Sequence, residues 1–186
     1  MIMNRLLPLS FSMVSGVLLL AACQGGTDDV ALGQAQSPQA GAATGLEGAF
    51  PAQFDPCDLV SMEDAAEASG EAVREPESAI SDFGVATCTF DPVDGLFPPV
   101  VLEVRPSDGA YNTALEVAEQ MLAGQDQTIE LLDDVGERAF YSVMLGHNIA
   151  MAAHGRFANL IVRENPEADN REAAIDLARR IAQRLQ

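Results

Sequence analysis

The sequence contains no lysine and no tryptophan. The missing Lys removes several chemistries. A Walker A phosphate loop needs a Lys that reaches the nucleotide phosphates. Schiff-base catalysis needs a Lys amine, and the Ser-x-x-Lys sites of penicillin-recognising enzymes need one too. Histidine is scarce: His147 and His154 are the only two. On one continuous strand that spacing points them to opposite faces, which argues against a shared metal. His147 reads as a turn residue in Gly146-His147-Asn148, and His154 as a strand-end residue. The chain has no Gly-x-Ser-x-Gly, His-Glu-x-x-His, Gly-x-Gly-x-x-Gly or EF-hand pattern, so neither a catalytic set nor a cofactor is expected. Positive charge is sparse as well: ten Arg stand against 28 Asp and Glu, a net of −18 over 186 residues. A chain of that sign repels phosphate backbones, which excludes nucleic acid as a partner.

What is present can bury a core, because 48% of the residues are hydrophobic and 20% charged. The N-terminus is built differently. Arg5 precedes an apolar stretch from Leu6 to Leu20, interrupted by Pro8, Ser10, Ser12, Ser15 and Gly16, and no acid occurs before Asp28. This stretch is too short and broken for a transmembrane helix, which wants about 20 apolar residues, and it reads as a secretory signal over residues 1–22. It ends Leu20-Ala21-Ala22-Cys23, which resembles the lipobox of bacterial lipoproteins. The resemblance implies cleavage before Cys23 and acylation of its thiol. The protein would then be extracytoplasmic and held to a bacterial membrane by its acyl chains. Gln24, rather than Asp, after the Cys resembles the sorting pattern for an outer membrane, where the cell has one. Loss of residues 1–22 takes Arg5 away and leaves a net charge of −19.

Residues 23–50 read as the acylated Cys and a flexible tether. The stretch after Cys23 carries six Gly and six Ala, and its only sizeable apolar residues are Val30, Leu32, Leu46 and Phe50. A linker of that composition and length spans about 30 Å root-mean-square, from ~5–6 Å times the square root of its length.

Residues 51–186 are expected to form one α+β domain, a mostly antiparallel sheet with about three helices packed on a sheet face. Ser61 caps a helix to Ser69, with Asp64 in the capping-box position and Gly70 ending it. A short strand is expected near 72–75, then strands at 87–90 and 100–105. Tyr111, Ala114, Leu115, Ala118, Met121 and Leu122 fall on one helical face, and Gly124 ends that helix. Strands follow at 128–132, 139–144, 149–154 and 157–163. Asn165-Pro166 breaks the sheet before a last helix from about Asn170, whose buried stripe is Ala174, Leu177, Ala178, Ile181 and Leu185. Cys57 and Cys88 are the only cysteines left after Cys23, and an even pair in an exported domain argues for a disulfide. A redox pair would normally show Cys-x-x-Cys, and two thiols alone make a poor zinc site.

Asp55-Pro56-Cys57-x-Leu59-Val60, the second Cys some thirty residues on with Phe90 two beyond it, and Gly136-Glu137-x-Ala139-Phe140 resemble a family of small bacterial lipoproteins. That family's domain has no known function and is best populated in actinobacteria. The resemblance covers about residues 55–186 and implies a Cys-paired α+β domain. It brings no catalytic residues, and the Trp that many such domains carry is missing here.

The densest polar constellation is Asp133, Asp134 and Glu137. Its carboxylates could hold a hard cation such as calcium, but a solvated turn in an acidic chain is the simpler reading, so no metal is expected. Ser107-Asp108-Gly109 reads as a turn before a helix. Two functions remain open. One is a non-catalytic, membrane-tethered binding or accessory module whose partner is an envelope protein or a small ligand. The other is an envelope hydrolase working through paired carboxylates. A groove or exposed apolar patch would favour the first, and two convergent acids in a deep pocket the second.

Overall fold

The computed structural model describes residues 50–144, 146–167 and 169–186. The expected signal, Cys23 and all of the tether except Phe50 lie outside them. Seven strands form one sheet in the order β1-β2-β3-β7-β6-β5-β4, with every neighbouring pair antiparallel. The strands are β1 Glu77–Ile80, β2 Ala86–Phe90, β3 Val100–Arg105, β4 Glu130–Leu132, β5 Arg138–Val143, β6 His147–Ala153 and β7 Arg156–Val162. The helices are α1 Met62–Ser69, α2 Ala110–Leu122 and α3 Arg171–Arg184, with a 3₁₀ turn at Pro56–Leu59. Two meanders, β1–β3 and β4–β7, therefore join through β3 and β7, and α2 carries the chain between them. Among the described residues no helix is long and apolar enough to cross a membrane.

Local chemistry sets α1. The Ser61 hydroxyl accepts from the Asp64 amide at 3.1 Å, the Asp64 carboxylate accepts from the Ser61 amide at 3.3 Å, and Gly70 closes the helix at φ 71°. The left-handed residue costs little without a Cβ. Burial of the Asp64 carboxyl acts to raise its pKa. Hydrogen bonds from Arg184 and Ser61, with the Arg184 charge, outweigh that and hold it below the ordinary carboxylate range.

The helices occupy both faces of the sheet. Ala86, Cys88 and Phe90 of β2, Val100, Leu102 and Val104 of β3, and Ile149 and Met151 of β6 face α1, α3 and the 3₁₀ turn in the larger core. The α3 stripe fits this face: Ala174, Leu177, Ala178, Ile181 and Leu185 have no exposure. Each large apolar side chain so buried is worth about 1.5–3 kcal/mol. On the other side Phe140 of β5, Ala150 and Ala152 of β6 and Phe157 of β7 meet Tyr111 and Ala118 of α2. β6 is thus buried on both faces along its whole length. Met121 falls outside the buried stripe of α2 and is 56% exposed, because the helix covers only part of its face.

Cys57 and Cys88 are disulfide-bonded, with Cα atoms 5.1 Å apart. The bond fastens the 3₁₀ turn to the middle of β2. In the chain-entropy account it contributes about 3–4 kcal/mol.

Three local expectations are corrected. Residues 72–75 hold no strand: Val73 makes a single bridge to Pro92, and the first strand starts at Glu77. Gly146-His147-Asn148 is not a hairpin turn, since His147 and Asn148 already belong to β6 and are buried. His154 lies just beyond the strand, in a two-residue turn with Gly155 at φ 52° and 73°.

Candidate functional site

His147 opens β6, and its register partners are Val143 on β5 and Val162 on β7. It is 6% exposed. The Tyr141 hydroxyl lies 2.9 Å from its Nδ1, and Oδ1 of Asn170 lies 2.8 Å from its Nε2. Asn170, also 6% exposed, donates from Nδ2 to the carbonyls of Ala68 at 2.9 Å and Arg163 at 3.0 Å. Its Oδ1 also accepts from the Asn165 amide at 3.1 Å.

Those bonds fix the protons. Two carbonyls face the Asn170 amide nitrogen, so its oxygen is the atom turned to His147. Nε2 must then donate, which leaves Nδ1 of the neutral ring to accept from the Tyr141 hydroxyl. The chain runs Tyr141, His147, Asn170, then the backbone at the end of α1 and the end of β7. It pins the loop after β7 to the sheet and to α1.

Above this network lies an open recess of about 380 Å³, lined by His147, Glu164, Asn165, Pro166, Asp169 and Asn170. Arg171 sits over the Tyr141 ring, 4.8 Å from its centroid, and pairs with Glu130 at 2.5 Å and with Glu172. Burial pushes the Tyr141 hydroxyl pKa up. The Arg171 charge and hydrogen bond oppose that, and Glu164 and Asp169 add to it. Both His147 nitrogens are engaged by side chains, so the orientation of the ring is held. With Glu164 and Asp169 in its walls, the recess favours a cationic group over an anion.

The acidic residues singled out in the sequence go elsewhere. Asp134 accepts from Arg179 at 2.8 Å, Glu137 accepts from the His154 amide at 3.0 Å, and Asp133 remains on the turn between β4 and β5. Among the described residues no three His, Cys, Asp or Glu side chains are gathered as a cation would require. Asp108 pairs with Arg138 at 3.2 Å just ahead of α2, consistent with a turn role. Sequence reasoning missed the Tyr141–His147–Asn170 chain. Its members lie 6 and 23 residues apart, and no local pattern links them.

The family model described as protein of unknown function, DUF3558, matches residues 18–182. The chain belongs to this family. No curated protein matches it. The DUF3558 match spans the disulfide, the sheet and the recess, and takes in Asp55-Pro56-Cys57 and Gly136-Glu137.

Proposed function

We propose that the chain is a membrane-tethered, non-catalytic binding or accessory module of the cell envelope. The acyl chains on Cys23 hold it to the bilayer, and residues 24–50 give the domain reach. The observation that carries the binding role is exposed apolar surface: Leu96 is 91% exposed and Phe97, next to it, 70%. Large apolar side chains left in water on an otherwise acidic domain favour contact with a partner. The recess that holds Glu164 and Asp169 is open rather than deep, which favours binding over carboxylate hydrolysis there.

Fractionation of cells that express the full chain tests the tether. The wild type should sediment with membranes and leave only in detergent, and Cys23→Ser should be soluble. Wild-type chain in the soluble fraction, or a Cys23→Ser chain still in the membrane, would remove the proposal's basis.

A further inference from the structure

The two ends of the sheet differ, and the chain enters at one of them. The Phe50 ring stacks on Phe54 with centroids 4.2 Å apart, and the guanidinium of Arg156, the first residue of β7, lies 5.9 Å from the Phe50 centroid. Phe50 therefore lies where β6 turns into β7. The register puts the start of β2, the end of β3 and the start of β5 at that same end. Phe90, Val100, Val162, His147 and Val143 make the row at the opposite end.

That opposite end carries the loop from Asp91 to Pro99, with Leu96 and Phe97 mostly in water and Val93 45% exposed. It also carries the His147 recess. A second recess of about 430 Å³ adjoins the loop, lined by Glu71, Ala72, Val93, Asp94 and Arg163. Arg163 makes one surface of these parts. Its guanidinium donates to the Phe97 carbonyl at 2.8 Å and pairs with Glu71 at 2.5 Å. Its amide donates to the Pro99 carbonyl at 2.8 Å, and its own carbonyl accepts from Asn170.

The charge of this surface is one-sided. Arg163 is neutralised by Glu71, and Arg74 donates to the Val93 carbonyl. Among the described residues, Asp91, Asp94, Glu164, Glu167 and Asp169 are in no ion pair. Residues 50–186 hold nine Arg and 25 Asp and Glu, a net of −16, and six of those Arg are already paired.

Resting on the tethered-module reading, we propose that this end docks a basic segment of another envelope protein. An apolar side chain of that segment packs on Leu96 and Phe97, and flanking Lys or Arg side chains enter the two acidic recesses. Charge complementarity selects this occupant. A second copy would bring the same carboxylates against themselves. The anionic headgroups of the anchoring bilayer would be repelled by the acidic rim.

The test uses the full acylated chain in phosphatidylcholine–phosphatidylglycerol vesicles, with an environment-sensitive fluorophore attached through Phe97→Cys. The probes are an amphipathic Lys/Leu peptide and a Glu/Leu peptide of the same pattern. The Lys/Leu peptide should blue-shift the fluorophore, while the Glu/Leu peptide and the vesicles alone should not. Neutralising Asp94→Asn, Glu164→Gln and Asp169→Asn together should weaken Lys/Leu binding by about tenfold or more, and Phe83→Ser, at the other end, should leave it within about twofold. A blue shift on vesicles alone would assign the loop to lipid and overturn the proposal. Equal response to both peptides would overturn it, as would no response or equal loss in the Phe83 variant. Vesicle flotation of wild type against Cys23→Ser reads the tether independently, so failure of the docking surface and failure of the anchor are distinguishable.

Discussion

Asn170→Ala is the substitution that most severely tests the buried network. Asn170 serves four partners: the His147 ring, the Asn165 amide, and the carbonyls of Ala68 and Arg163. Its bonds to His147 and Ala68 are buried, and those to Asn165 and Arg163 are partly buried beside the open recess. Water entering the recess can serve the latter two. The buried pair loses its partner outright, and a buried polar group left unmatched costs about 1–3 kcal/mol. Asn170→Ala should therefore destabilise the domain by about 3–5 kcal/mol. Tyr141→Phe removes one donor and leaves a single ring lone pair unmatched, at about 1 kcal/mol. Urea unfolding of the chain from residue 24 with the disulfide intact measures both. The double variant should fall short of the sum, because the two residues share His147. A loss below about 1 kcal/mol in Asn170→Ala, or equal losses in the two single variants, would refute the reasoning.

Reduction of the Cys57–Cys88 bond should cost about 3–4 kcal/mol in the same assay, with free thiols confirmed by peptide mapping. Gly136→Ala should cost about 2 kcal/mol or more, because φ is +63° and a Cβ would meet the Ala152 carbonyl oxygen at 2.6 Å. At Gly155, φ is +73° with nothing within 4 Å, so Ala there should cost only about 1 kcal/mol, read as a smaller shift in the urea midpoint. Asp64→Asn should cost about 1 kcal/mol at neutral pH. The folded pKa of Asp64 is depressed, so its stabilisation is present above the ordinary carboxylate range and lost as pH falls through the lowered value. The gap between wild type and Asp64→Asn should therefore close in acid, as measured by unfolding at stepped pH.

Residues whose partners lie close in sequence were legible before the structure. Ser61, Asp64 and Gly70 specify both ends of α1 within ten residues, and the α3 stripe follows from period alone. The α+β class and the Cys57–Cys88 bond were legible for the same reason, since alternating strands, amphipathic helices and an even Cys pair are local or countable signals. The division of helices between faces was not legible. The β6 residues are buried on both sides, so their pattern is a continuous apolar run that names no partner for either face. The start of β1 was obscured because all four of its residues are exposed at the sheet edge, leaving no alternation to read. His147 was misplaced because Gly146 before it and Asn148 after it are turn formers by type. The burial of His147 goes with its contacts to Tyr141 and to Asn170 at the start of α3, and the chain between carries no sign of those contacts.

Cys23 is the residue on which membrane attachment rests. The direct measurement is the intact mass and N-terminal peptide mass of the chain purified in detergent from membranes of cells that export it. A tethered module requires a mature protein beginning at Cys23, with a diacylglyceryl group on its thiol and the Cys57–Cys88 bond intact. A chain that retains residues 1–22, or one cleaved elsewhere with an unmodified Cys23 thiol, would contradict it.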